Sequence, residues 1–417
     1  MADIFKVGLS KTYSDGDDTI ISAIRQTSDG GYVATGETYT YGAGMSDIWV
    51  AKLNSDMTAA WQKAYGGVDD DISNAVQQTS DGGFIVAGET YSSGAGNNDM
   101  LVMKLNSKGK VEWQETLGNS GSDSAGAVQQ TSDGGVIVAG YTSAGSSSDM
   151  WVLKLNSDGS VAWQKAYGGS GYEAANAVQQ TSDGGFIVAG EAYASGTGAD
   201  YLLLRLDSSG NVVWQKTYDN SYYDSANAVQ QTSDGGFIVA GYTSAGSSSD
   251  MWVLKLNSDG SVAWQKAYGG ADNEVANAVQ QTSDGGFIVA GYTGSFGAGD
   301  MDAWLIKLNG DGSVAWQKAY GGAGTDTANA ILQAADGGYI FGGYSSSFGA
   351  GSLDAWIVKL SSSGVGLSMG IDTSAGAPDT GATVTAAPFP VRSTNVVPAI
   401  PSMTVTDTNT TINTQTS

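Results

Sequence analysis

The heptapeptide "WQKAYGG", Trp61–Gly67, decides how this chain folds. It returns, whole or slightly altered, at Trp113, Trp163, Trp214, Trp264 and Trp316, which makes six copies. A second phrase, "DGG", begins at Asp29, Asp81, Asp133, Asp183, Asp234, Asp284 and Asp336. That is seven copies, spaced by 52, 52, 50, 51, 50 and 52 residues. A fixed period of about 50 residues is the mark of a solenoid, a propeller or an array.

One unit reads "NAVQQTSDGGFIVAGYTSAGSSSDMWVLKLNSDGSVAWQKAYGG". It divides into four β-rich runs: a ("NAVQQT"), b ("FIVAGYT"), c ("DMWVLKL") and d ("SVAWQKAY"). The a–b and c–d connections, "SDGG" and "NSDG", are short turns in which Gly supplies positive φ. Four antiparallel strands repeated seven times predict an all-β fold, a seven-bladed β-propeller. A linear solenoid needs atypical capping repeats at both ends. Here the ends are complementary instead. The last unit runs through "DAWIVKL" (Asp354–Leu360) and has no "WQKAYGG" after it, while the chain opens with "FKVGLSKTYS". Phe5, Val7, Leu9 and Tyr13 are the expected closure residues: the first strand supplies the missing d of the last blade. Closing a loop of about 350 residues costs roughly 5 kcal/mol. An added strand offsets this with several hydrogen bonds of about 0.5–1.5 kcal/mol each and with apolar burial.

Composition narrows the chemistry. The 417 residues carry 18 basic and 42 acidic side chains, a net charge of −24, with no Cys and no His. Thiol and imidazole nucleophiles, disulfides, His metal ligands and Ser-His-Asp triads are excluded. The negative charge disfavours nucleic acid and anionic membranes. No apolar run of about 18 residues could span a bilayer. Charged residues are 14% of the chain, a low density that favours an extracellular or cell-surface setting, although the start has no leader pattern. The eleven Trp fall six in d and five in c and are expected to pack between blades; a sugar-stacking platform is the alternative reading. Lys or Arg recurs in c and Lys in d, expected to keep exposed sheet edges from pairing.

The "QTSDGGFIVAGYT…DMWVLKLNSDGSVAWQKAYGG" pattern resembles the β-propeller repeats of secreted and cell-surface proteins of bacteria and archaea. The resemblance covers residues 1–364 and implies architecture rather than activity. "LNSDGSVAW" also resembles the tryptophan-docking motif of quinoprotein dehydrogenases. Those propellers usually have eight blades and a quinone pocket with calcium, and neither feature is matched here.

Hard cations are the ligands most suited to so acidic a chain. The densest carboxylate clusters, Asp15/Asp17/Asp18 and Asp69/Asp70/Asp71, are candidate Ca²⁺ ligands, though neither forms a D-x-D-x-D-G loop. One carboxylate recurs before each a strand (Asp71, Asp123, Glu173, Asp224, Glu274, Asp326, with Thr19 in the seventh place). It is expected either to cap its loop or to ring a channel mouth. Another opens each c strand (Asp47, Asp99, Asp149, Asp200, Asp250, Asp302, Asp354) and is expected to accept loop N–H groups. The b–c loops vary most and carry Tyr39, Tyr41, Tyr91, Tyr193, Phe296 and Phe348, residue types suited to glycan or protein contact.

After Gly364 the composition changes: all five Pro lie in the last 40 residues, among Thr, Ala, Ser, Val and Asn. Residues 365–417 read as an extended tail, either a linker or a connector between subunits. Val384, Phe389, Val391, Val396, Val397, Ile400, Met403, Val405 and Ile412 are its expected apolar anchors on a neighbouring propeller. The leading expectation is a non-enzymatic structural protein that polymerises head to tail by strand addition. The alternative is a glycan- or protein-binding surface propeller.

Overall fold

The computed structural model describes residues 9–14, 18–143, 147–194, 198–220, 223–244, 248–349 and 352–366. It also describes the backbone of five short strands, Gly370–Asp372, Thr383–Ala386, Val391–Ser393, Thr404–Asp407 and Thr411–Gln415. All regular structure among these residues is β. The third repeat shows the plan: a is Asp123–Gln130, b is Val136–Ser143, c is Ser148–Leu155 and d is Val161–Tyr167. Each strand pairs antiparallel with the next. The chain forms a β-propeller of such four-stranded groups. Each a strand packs against the a strand of the following unit, and the seventh, Asp326–Gln333, packs against the first, Thr19–Gln26, so the ring is closed.

The strand Leu9–Ser14 pairs with Asp354–Leu360, from Leu9 opposite Lys359 to Tyr13 opposite Ala355. All five c-strand Trp, Trp49, Trp151, Trp252, Trp304 and Trp356, sit between units with no exposed surface. The d-strand Trp rings are also structural. Trp61, Trp163, Trp214 and Trp264 meet Phe84, Phe186, Phe237 and Phe287 edge to face at 5.8–6.0 Å. Trp163 and Trp214 each donate Nε1–H to a carbonyl in the next c–d turn, at 3.2 Å.

The c-strand cations depart from expectation. They do not guard an edge, because c is covered by d. Each reaches the Asp of its own unit's "DGG": Lys52–Asp29, Lys104–Asp81, Lys154–Asp133, Lys255–Asp234, Lys307–Asp284 and Lys359–Asp336 at 2.7–3.1 Å, and Arg205 with Asp183. The a–b turn lies beside c once b has folded between them, so two positions about 20 residues apart become partners. Asp29 also accepts from the Thr27 hydroxyl and the Gly31 N–H. With Thr27 first and Lys52 second, these donors hold its carboxyl down at about 2.

The tail does not hang free. Each of its five described strands pairs antiparallel with an outer strand of its own chain. Sequence reading placed the tail on a neighbouring propeller, whereas in this single chain the pairing is internal.

Candidate functional site

The outer edge of the ring is the surface with the most regular use of backbone. Its acceptor strands are Leu9–Ser14, Ala59–Gly66, Val161–Tyr167, Val212–Asp219 and Val314–Tyr320. Each offers the same triplet, Lys-Ala-Tyr or Lys-Thr-Tyr. The Tyr is buried, and its hydroxyl is spent on a carbonyl of the next unit: Tyr65 on Gly109, Tyr167 on Gly210, Tyr218 on Gly260 and Tyr320 on Gly364, at 2.6–2.7 Å. The side chain fixes the strand while the outer N–H and C=O groups remain for another strand. Opposite these tyrosines in register stand Gly370 (Tyr320), Val384 (Tyr218), Val391 (Tyr167), Val405 (Tyr65) and Ile412 (Tyr13). Four of the predicted anchor residues therefore occupy one equivalent position. Phe389, Val396, Val397, Ile400 and Met403 lie outside the described residues, as do Phe5 and Val7 of the predicted closure.

The loop-face carboxylates are fold-maintaining. Asp71 is fully buried and accepts from Gly67 N at 2.7 Å and the Ser92 hydroxyl at 2.8 Å. Asp123, Glu173, Glu274 and Asp326 take the equivalent loop N–H at 2.7–3.0 Å, so this position caps its loop and does not ring a channel mouth. The c-strand Asp residues accept b–c loop amides as expected, Asp99 from Ala95 and Gly96, and Asp302 from Ala298 and Gly299. The two kinds of carboxylate meet beside a glycine. A Cβ on Gly66 would lie within 3 Å of both Asp47 Oδ1 and Asp71 Oδ2, which is one reason the phrase ends in Gly. Burial first, and the nearby Asp71 among lesser causes, push Asp47 up to about 6.

Of the two candidate calcium clusters, Asp69/Asp70/Asp71 is not among the described carboxylate groups close enough to share an ion, and Asp15/Asp17/Asp18 lies mostly outside the described residues. Asp15 and Asp17 lie outside the described residues. Asp18 accepts Leu353 N–H at 2.8 Å across the closure seam. Asp70 is engaged by the amide and hydroxyl of Ser46, and Asp71 is spent as above. Among the described residues, the group of three carboxylates close enough to share an ion is Asp200, Asp219 and Asp224. It arises because Tyr218-Asp219-Asn220 replaces the usual Tyr-Gly-Gly, a departure visible in the sequence but easily read past. Burial, then Asp219 and Asp224, push Asp200 up to about 6.

Two further irregularities escaped sequence reading. A tyrosine ladder crosses the loop face: Tyr141–Tyr172, Tyr172–Tyr193 and Tyr193–Tyr223 have ring centroids 6.2, 5.4 and 5.7 Å apart. Tyr39 and Tyr91 are well exposed, whereas Phe296 and Phe348 fold back on Trp304 and Trp356. The central channel, about 230 Å³, is lined from the a strands. Gln77, Gln129, Gln230 and Gln280 each accept the backbone N–H of a Gln in the next unit at 2.5–2.6 Å. Arg25 and Leu332 stand in the equivalent places at the closure seam. The signal was a break in the repeat, which a consensus averages away.

A protein-family model agrees on the architecture. Residues 131–161 and 232–262 match the family described as a β-propeller domain of unknown function, DUF5122. These are propeller repeats. A search of curated proteins finds no significant match. Among solved structures, Sqt1 from Chaetomium thermophilum is similar at 12% identity over 79% of this chain and 81% of its own, with a TM-score of 0.45. A second Sqt1 structure, bound to the N-terminus of ribosomal protein L10, has 11% identity, coverage of 84% and 98%, and a TM-score of 0.43. A protein of unknown function from Dyadobacter fermentans has 12% identity, coverage of 85% and 98%, and a TM-score of 0.46.

Proposed function

We propose that the chain is a closed seven-bladed propeller acting as a non-enzymatic structural subunit of an extracellular or cell-surface assembly. Residues 365–417 are its connector, adding strands to the outer edge of a propeller and joining copies head to tail. One observation carries this reading: five tail strands add to five outer strands opposite the same Lys-x-Tyr triplet. Such contacts run through backbone groups, so an edge on another copy is chemically equivalent to one on the same chain. Near-symmetry supports a scaffold too, since the loop-face carboxylates described above are occupied in capping. Electron microscopy and light scattering of the full chain and of a chain ending at residue 366 test it. The full chain is expected to polymerise and the shortened chain to remain monomeric; normal polymers from the shortened chain refute the connector.

The tyrosine ladder favours a second reading, a surface propeller that binds a glycan or a partner protein on the loop face. It predicts binding that survives loss of the tail and weakens when Tyr193 is replaced by Ala. A glycan array with no ligand counts against its glycan form.

A further inference from the structure

The tail strands keep a common count. The residues opposite the d-strand Tyr are 370, 384, 391, 405 and 412, in steps of 14, 7, 14 and 7. Their partners belong to the sixth, fourth, third, first and seventh units, steps of two, one, two and one around the ring. Every step is therefore seven residues per unit. The circuit runs opposite to chain order and ends on the strand Leu9–Ser14 that closes the ring.

Geometry accounts for the number. Seven extended residues span about 23 Å. A disc about 50 Å across, divided seven ways, has a rim step of about 22 Å. The fifth and second units take none of the described tail strands, and their positions in the count are residues 377 and 398. Residue 377 is Ala and is followed by Pro378; residue 398 is itself Pro. Proline has no N–H to give a ladder. The second unit diverges on the ring side as well: Glu115-Thr116-Leu117 stands where the others have Lys-x-Tyr. At the second unit the tail and the ring edge depart from pattern together, whereas the fifth keeps Lys266-Ala267-Tyr268 and only the tail departs.

We infer that residues 370–415 are a belt that reads the outer edge of this ring at one heptad per unit, and that the partner it fits is the ring of a second copy of the chain. A second copy presents the same six Lys-x-Tyr edges, with the divergent second edge in the same place. The inference deepens the structural reading above and rests on it: assembly proceeds by exchange of belts, each swapped belt keeping the same register on its new ring. Domain swapping needs no new contact, because each pairing broken within one copy is remade on another.

The chain has no cysteine, so paired cysteines test this in the full-length protein. Lys165 and Ser393 are register partners. The variant carrying both K165C and S393C is expected to form a disulfide within one chain when dilute. When a chain carrying only K165C and a chain carrying only S393C are mixed, assembled and oxidised, at least tenfold more linked dimer is expected than from K266C with S393C. Lys266 is the equivalent residue of the skipped fifth unit. No disulfide in the double variant would overturn the register. A within-chain disulfide in polymers, with no linkage between mixed chains, would overturn belt exchange while leaving the register and assembly intact. Absence of polymers under all conditions would instead sink the structural reading, with the within-chain disulfide still reporting the belt.

Discussion

The Tyr13 hydroxyl donates to the Met57 carbonyl at 2.7 Å, the same bond that Tyr65 makes to Gly109 and Tyr167 to Gly210. Each spans from the d strand of one unit to the c–d turn of the next. The bond from Tyr13 differs only in joining the first strand of the chain to the seventh unit's neighbour. It is held in company by Trp356 Nε1–H donating to the Ser10 hydroxyl at 2.8 Å and by Lys11 Nζ–H donating to the Asp56 carbonyl at 3.0 Å.

Tyr13→Phe is expected to destabilise the fold. It removes a buried donor and leaves a buried carbonyl without its partner, at about 1–3 kcal/mol. Urea unfolding followed by Trp fluorescence should show a lower midpoint with an unchanged slope. An unchanged midpoint would mean that the closure bond contributes nothing.

Met57 tests which of two opposed effects wins. It has φ of 62°, whereas Gly109, Gly159, Gly210, Gly260, Gly312 and Gly364 fill the equivalent turns. Met57→Gly relieves strain of about 1–3 kcal/mol. It also deletes a fully buried side chain of the closure cluster, at about 2–5 kcal/mol. The cavity outweighs the strain, so the melting temperature is expected to fall. A rise would show that Met57 sits there at a net cost.

The Lys154–Asp133 pair should respond asymmetrically. Asp133 is 64% exposed, so Lys154→Met leaves a hydrated carboxylate that still accepts from Thr131 Oγ and Gly135 N–H. A loss of about 0–1 kcal/mol is expected. Asp133→Ala strips the turn of its acceptor and leaves the buried Lys154 ammonium with the Leu155 carbonyl but no carboxylate, so it should cost more, about 1–3 kcal/mol. Chemical unfolding of both variants checks the order; equal losses would assign the effect to the ion pair alone.

Stability should peak in mild acid. Asp47 and Asp200, raised to about 6, contribute stability that is present below about 4 and lost as pH rises through 6. Asp29 and Asp284, held at about 2, contribute stability present above about 4 and lost as pH falls through 2. Melting temperatures across pH 2 to 8 should therefore be highest near pH 4–5. A monotonic rise to pH 8 would contradict the raised carboxyls.

Asp219→Gly restores the phrase used by the neighbouring units and removes one of three mutually repelling carboxylates. It is expected to stabilise the protein at pH 7.5 and to have a smaller effect at pH 4.5, where Asp200 is already protonated. Paired melting curves at the two pH values check it; destabilisation at both would give Asp219 a structural role.

Much of this architecture is local and was legible in the sequence. The period, the "DGG" and "NSDG" turns and the β-rich runs between them determined the strands, because turn chemistry and strand propensity act over a few residues. The count of six "WQKAYGG" against seven "DGG" determined the ring closure, with Tyr13 in the register it implied. The partnership of Lys154 with Asp133 was hidden by a separation of 21 positions along the chain. So was the convergence of Asp200, Asp219 and Asp224, while Asp70 and Asp71, adjacent in sequence, point to separate partners. The tail was legible as apolar β segments, but its heptad count has no meaning without the spacing of the rim it follows. Sequence by itself determined what each repeat becomes. Only the tertiary structure decided which edges the repeats leave open, because that depends on how the repeats close a circle, and the distances around that circle exist only once it has closed.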